Sequence, residues 1–134
     1  MGNRSLSPDI RNNVFKLEEL VETKPHSIVS RTLVDDDSGT VTVFAFGAGQ
    51  SLSEHTAPYD AMVTALEGEA EITISGENYR VSRGETLVMP AGEPHALSAS
   101  EDFKMLLVMI RTSKMQDHDC CCSGEDGETG GGCR

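Results

Sequence analysis

Apolar and polar residues alternate along much of this chain with a period of two. Between Thr40 and Phe46, Val41, Val43 and Ala45 stand against Thr42, Phe44 and Phe46, the pattern of a strand with two distinct faces. Ser27 to Val34, just before it, is rich in strand-forming residues, and Asp35-Asp36-Asp37-Ser38-Gly39 supplies the turn between the two. Beyond Gly47 to Gly49 comes a segment carrying His55. Ala61 to Leu66 is a continuous apolar strand that ends at Glu67-Gly68, and Ala70 to Ile74 pairs back on it. Asn78 to Ser82, Thr86 to Met89, His95 to Ser100 and Phe103 to Arg111 complete the series. About nine short strands, spaced roughly 8–12 residues apart with no convincing helix between them, predict an all-β sandwich or barrel.

The two ends read differently. Residues 1–26 form an N-terminal arm whose first part, Met1 to Asn13, is polar and expected to be loose. In Val14 to Val21, apolar residues at 14, 17, 20 and 21 fit a helical face, while Val14-Phe15 equally fits the start of a strand. The barrel itself is placed at residues 27–112. Residues 113–134 have no apolar periodicity and carry five acids against two bases, so they are expected to be a disordered, acidic, Gly- and Cys-rich tail. All four cysteines, Cys120, Cys121, Cys122 and Cys133, lie there, so no disulfide framework holds the body. Adjacent cysteines point in different directions, and the run with His118 lacks the C-x2-C spacing of a zinc site.

Composition narrows the range of partners. With 37% apolar and 4% aromatic residues and no Trp, the core must be filled by Val, Leu, Ile, Ala and Met. A net charge of −11 argues against nucleic acid or an anionic membrane as a partner, since both require a basic surface. No apolar run approaches the ~18 residues of a membrane span, and Met1 to Arg11 lacks the apolar core of a signal peptide. A cytoplasmic location is the default expectation.

Candidate chemistry sits at two glycine–histidine segments. In Gly84 to His95, Pro90 fixes its own φ and Gly92 permits positive φ, so the backbone can reverse and deliver His95 in a set direction. Upstream, Gly49 precedes His55 at the mouth of another strand. Together the segments resemble the paired motifs of the cupin superfamily. Gly84, Pro90, Gly92 and His95 fall on the pattern G-x5-P-x-G-x2-H-x3-N, with Ala99 in place of its Asn. Gly49, His55 and Gly68 fall on G-x5-H-x-H-x3,4-E-x6-G, with Ala57 and Ala61 where the second histidine and the glutamate would stand.

The resemblance covers roughly residues 27 to 111 and implies a small double-stranded β-helix, or jelly-roll barrel, open at one end with the motif histidines turned into its cavity. In metal-binding members of that family the two histidines and the glutamate of the first motif join the histidine of the second around one divalent ion. This chain keeps only His55 and His95, with Asp60 as a candidate third ligand for Zn, Fe, Ni or Mn, although in a regular strand Asp60 faces away from position 61. A metal-free cavity is the primary expectation. Ala57 and Ala61 enlarge that cavity for a small organic ligand, and Tyr59 and Asp60 flank its mouth. Met62, Met89, Met105 and Met109 either line a soft apolar pocket or pack as ordinary core.

The function expected is a small-molecule-binding module with His55 and His95 in the cavity. The alternative is a small cupin enzyme, an isomerase, lyase or metal-dependent oxygenase, acting on a sugar or carboxylic acid with His55 or His95 as base. A homodimer is expected as well, because cupins of this size pair through their sheets and Val14 to Val21 is apolar.

Overall fold

The computed structural model describes residues 5, 6 and 8–111. Within it all nine expected strands form, with a tenth, two-residue strand ahead of them. In chain order they are β1 (Ser5–Leu6), β2 (Ile28–Asp36), β3 (Gly39–Phe46), β4 (Ser51–His55), β5 (Tyr59–Glu67), β6 (Glu69–Ile74), β7 (Glu77–Ser82), β8 (Thr86–Met89), β9 (His95–Ser98) and β10 (Phe103–Arg111). Two antiparallel sheets result, one of six strands in the order β1-β2-β3-β10-β5-β8 and one of four in the order β4-β9-β6-β7. The fold is the jelly-roll barrel expected from the motifs. The tail from 113, with its cysteines and His118, lies outside the described residues, as does residue 112 at the expected end of the barrel.

The alternation in β3 explains how the layers stack. Phe44 and Phe46 face the other sheet and belong to a core that also takes Ala61, Val63 and Ala65 from β5, Ile72 and Ile74 from β6, and Phe103 and Met105 from β10. Val41, Val43 and Ala45 point the other way, into a second cluster beneath the N-terminal arm. The inner core is tightest at one end, where Phe46 and Phe103 are fully buried with ring centroids 5.9 Å apart. Small residues there, Ala65, Ala70 and Ala99, let the sheets close.

Val14 to Val21 forms neither the extended helix nor the strand that its sequence suggested. After β1 the arm makes two single 3-10 turns, Pro8–Ile10 and Leu17–Glu19. A one-turn element closes few hydrogen bonds of its own, so tertiary contacts hold it. Ile10, Leu17, Leu20 and Val21 pack on Val43, Ala45 and Leu106. Lys104 Nζ donates to the Glu18 carbonyl at 2.7 Å. Nor is the first part of the arm wholly loose: Ser5 and Leu6 pair with Asp35 and Val34, and Arg31 pairs with Asp9. The hydrogen bond from that guanidinium holds the Asp9 carboxyl below its ordinary value. The apolar segment expected to seek a partner thus spends Leu17, Leu20 and Val21 on its own sheet, while Val14 and Phe15 stay exposed.

Gly68, at the β5–β6 corner, has φ +75°, and a Cβ there would lie 2.2 Å from the Asp102 carbonyl oxygen. Gly49 has a similar φ of +87°, with no atom of the described residues within 4 Å of its Cβ position. Both positions oppose an L side chain, but only one adds a backbone collision. Gly68→Ala is expected to cost at least about 2 kcal/mol and Gly49→Ala about 1 kcal/mol. Urea unfolding of the two variants checks the order, and equal midpoints would contradict it.

Candidate functional site

The open end of the barrel gathers both motif histidines. His55 closes β4, His95 opens β9, and the two are register partners. Their rings meet edge to face with centroids 4.4 Å apart. His95 is delivered by the turn that Pro90 and Gly92 predict, with Gly92 at φ +83°. That turn is tied to the rest of the rim: Gly92 N–H donates to the Ala57 carbonyl at 2.9 Å, and Ser75 N–H donates to the Pro94 carbonyl at 2.9 Å.

The histidine tautomers follow from their partners. His55 Nδ1 lies 2.8 Å from the Ser53 carbonyl oxygen and His95 Nδ1 lies 3.1 Å from the Glu93 carbonyl oxygen. A carbonyl only accepts, so each Nδ1 carries the proton and donates. In the neutral ring Nε2 is then the lone-pair atom. Each histidine is held by the backbone two residues before it, which fixes its ring and leaves the basic nitrogen available.

Behind the pair lies a cavity of about 80 Å³. A water needs roughly 10–15 Å³ on this measure, so the space holds a few waters or a compact organic group. Apart from His55, His95 and Tyr59, its lining is apolar: Leu52, Ala57, Ala61, Val63, Ile72, Met89, Ala96, Leu97, Met105, Leu107 and Met109. Tyr59 OH accepts from Arg111 Nη2 at 3.1 Å, and the guanidinium sits 5.2 Å from the ring centroid.

Of the residues singled out from the sequence, His55, Ala57, Tyr59, Ala61 and His95 are brought together on this cavity. Asp60 is not. It is exposed, one residue out of phase with Tyr59 and Ala61 on β5, and its Oδ1 accepts from Ala91 N–H at 2.9 Å. It braces the turn that carries His95 instead of meeting the imidazoles. Strand alternation also divides the methionines. Met89, Met105 and Met109 line the cavity, while Met62 is 39% exposed on the outside. Arg111 was not anticipated, because only the register of β10 against β5 brings it to Tyr59.

The donor set does not fit the divalent ion that such a barrel implies. Among the described residues no group of three His, Cys, Asp or Glu side chains gathers, whereas tight sites for these ions supply three or four protein ligands. Two imidazoles without a carboxylate fall short of that.

A family model for the cupin domain matches residues 42–111. The chain belongs to the cupin family. It is 46% identical to a conserved protein of unknown function from Streptococcus pyogenes, over 81% of this chain and 96% of that one, with a TM-score of 0.76. A cupin superfamily protein from Desulfitobacterium hafniense is 27% identical over 76% of this cupin and 94% of its own chain, with a TM-score of 0.73. A cupin 2 conserved barrel domain protein from Leptotrichia buccalis is 42% identical with a TM-score of 0.71; 72% of this chain is covered but only 47% of that one. This cupin therefore spans about half the length of the Leptotrichia protein. No curated protein matches. Among the described residues no helix is long and apolar enough to cross a membrane.

Proposed function

We propose that this cupin binds a small organic molecule at the open end of its barrel, with His55 and His95 as the polar anchor. The observation that carries the reading is the His55–His95 pair, each ring fixed by Nδ1 donation to the Ser53 or Glu93 carbonyl so that Nε2 keeps the lone pair, on a cavity whose lining is apolar apart from Tyr59. A few placed polar groups over an apolar floor is the usual make-up of a small-molecule site. Both nitrogens accept, so the ligand presents hydroxyl or N–H donors to them and a compact apolar part to Leu52, Leu107 and the methionines.

A compound screen read by thermal shift, followed by calorimetric titration of the hits, tests this. Removing two hydrogen bonds at about 0.5–1.5 kcal/mol each predicts that His55→Ala/His95→Ala weakens a genuine ligand by roughly ten- to a hundredfold. A screen in which nothing but metal ions shifts the melting temperature would count decisively against the proposal.

The same tautomers favour a second reading, an enzyme moving a proton on a sugar or carboxylic acid. An anchored imidazole with a free Nε2 is a competent general base. Tyr59, whose oxygen already accepts from Arg111, retains its own O–H to donate. Turnover that survives His55→Ala and His95→Ala undiminished would remove that reading.

A further inference from the structure

One row of side chains inside the barrel offers donors that an organic ligand leaves unused. Met109 on β10, Ala61 on β5 and Met89 on β8 are successive cross-strand partners, and all three line the cavity. Directly opposed residues on one face of a sheet hold their Cβ atoms about 4.5–5.5 Å apart. Two thioethers therefore stand on either side of the smallest apolar side chain, with open space above it. His55 and His95 enter the same cavity from the four-stranded sheet. Met89, Met109 and the two histidines thus line one and the same cavity. Among the described residues no carboxylate and no thiol lines it.

Thioether sulfur is a soft, neutral donor. It is a poor ligand for Zn²⁺, Fe²⁺ or Mn²⁺ and a good one for copper(I), which imidazole also binds. An all-neutral donor set suits a monovalent ion better than a divalent one, because burying charge without a counter-charge is costly and the cost rises with the charge. The chain's net charge of −11 draws cations towards it in either case. We propose that His55, His95, Met89 and Met109 form a binding site for a soft monovalent metal ion, copper(I), in the barrel cavity. The thioethers carry this inference, which does not rest on the organic-ligand reading. Copper and an organic ligand would use the same Nε2 lone pairs, so each excludes the other.

The experiment uses the full chain with Cys120, Cys121, Cys122 and Cys133 changed to Ser, because thiols would capture copper(I) first. Copper(I) is titrated anaerobically against a chromogenic chelator, with silver(I) as a redox-silent probe in calorimetry. One equivalent is expected to bind, and X-ray absorption of the copper-loaded protein should show sulfur in the coordination shell. Met89→Leu/Met109→Leu keeps side-chain volume close to the original and is expected to weaken binding at least tenfold and remove the sulfur signal. Met109→Leu alone, at a half-buried position, supplies the test if the double variant does not fold. Failure to capture copper(I), affinity unchanged by the methionine substitutions, or Zn²⁺ bound as tightly as copper(I) would each overturn the proposal.

Discussion

Phe103→Ala is expected to destabilise this cupin by about 3–5 kcal/mol, as complete truncation of a core aromatic does. Phe103 is fully buried, pairs in register with Phe46, and packs its ring 5.9 Å from that of Phe46. The neighbours at this end are Ala65, Ala70 and Ala99, all buried. Residues so small cannot swing into the space a phenyl ring leaves, and the strands around them are held by their ladders. The void would therefore persist, which places the cost towards the upper part of the range. At about 4–8 °C per kcal/mol for a domain of 60–100 residues, the melting temperature should fall by well over 10 °C. Thermal unfolding followed by circular dichroism measures it. A fall of less than about 4 °C, the equivalent of no more than 1 kcal/mol, would show that the closed end collapses around the void and is not the packing centre argued here. The prediction also reaches the site. β10 begins at Phe103 and carries Met105, Leu107 and Met109 up to the cavity, so loosening its start loosens the wall on which any occupant rests.

How far this architecture can be read in the sequence depends on how local the determining feature is. Thr40 to Phe46 announces β3 because alternation is a property of neighbouring residues, and Gly84, Pro90, Gly92 and His95 announce the turn because φ is fixed residue by residue. Those features gave all nine barrel strands and both cavity histidines. The arm escaped because its shape is set by what it lies on. Leu17 and Leu20 read as a helical face, yet the single turn they form is held by Val43, Ala45 and the Lys104 ammonium, far away in sequence. Asp60 was legible in part: alternation alone puts it opposite Ala61, but its partner, the Ala91 N–H, lies 31 residues further on. The Met109–Ala61–Met89 row depends entirely on the register of three strands that are not consecutive in the chain. Register between distant strands is a property of the folded barrel, so alternation could set Met62 opposite Ala61 but could not bring Met89 and Met109 to either side of it.

The second large effect concerns space at the site. Ala61→Leu is expected to abolish occupancy of the cavity, by an organic ligand or by copper(I), with affinity falling by more than about a hundredfold, some 3 kcal/mol. Ala61 is buried between Met89 and Met109 on the cavity floor. Three added carbons would enter a cavity of about 80 Å³ that holds only a few waters. The fold should survive, because the new side chain grows into open space and not into packed core; overpacking costs about 1–3 kcal/mol even where no cavity exists. The contrast with His55→Ala/His95→Ala is what makes the experiment informative. That pair removes both imidazoles and adds room, whereas Ala61→Leu keeps both imidazoles and removes room. An occupant lodged between the histidines and the methionine row is sensitive to both changes. One held only at the rim by the two Nε2 atoms responds to the histidine substitutions and ignores Ala61→Leu. Calorimetric titration of both variants with the same ligand separates the cases. Wild-type affinity in Ala61→Leu would move the site out of the barrel and onto its lip.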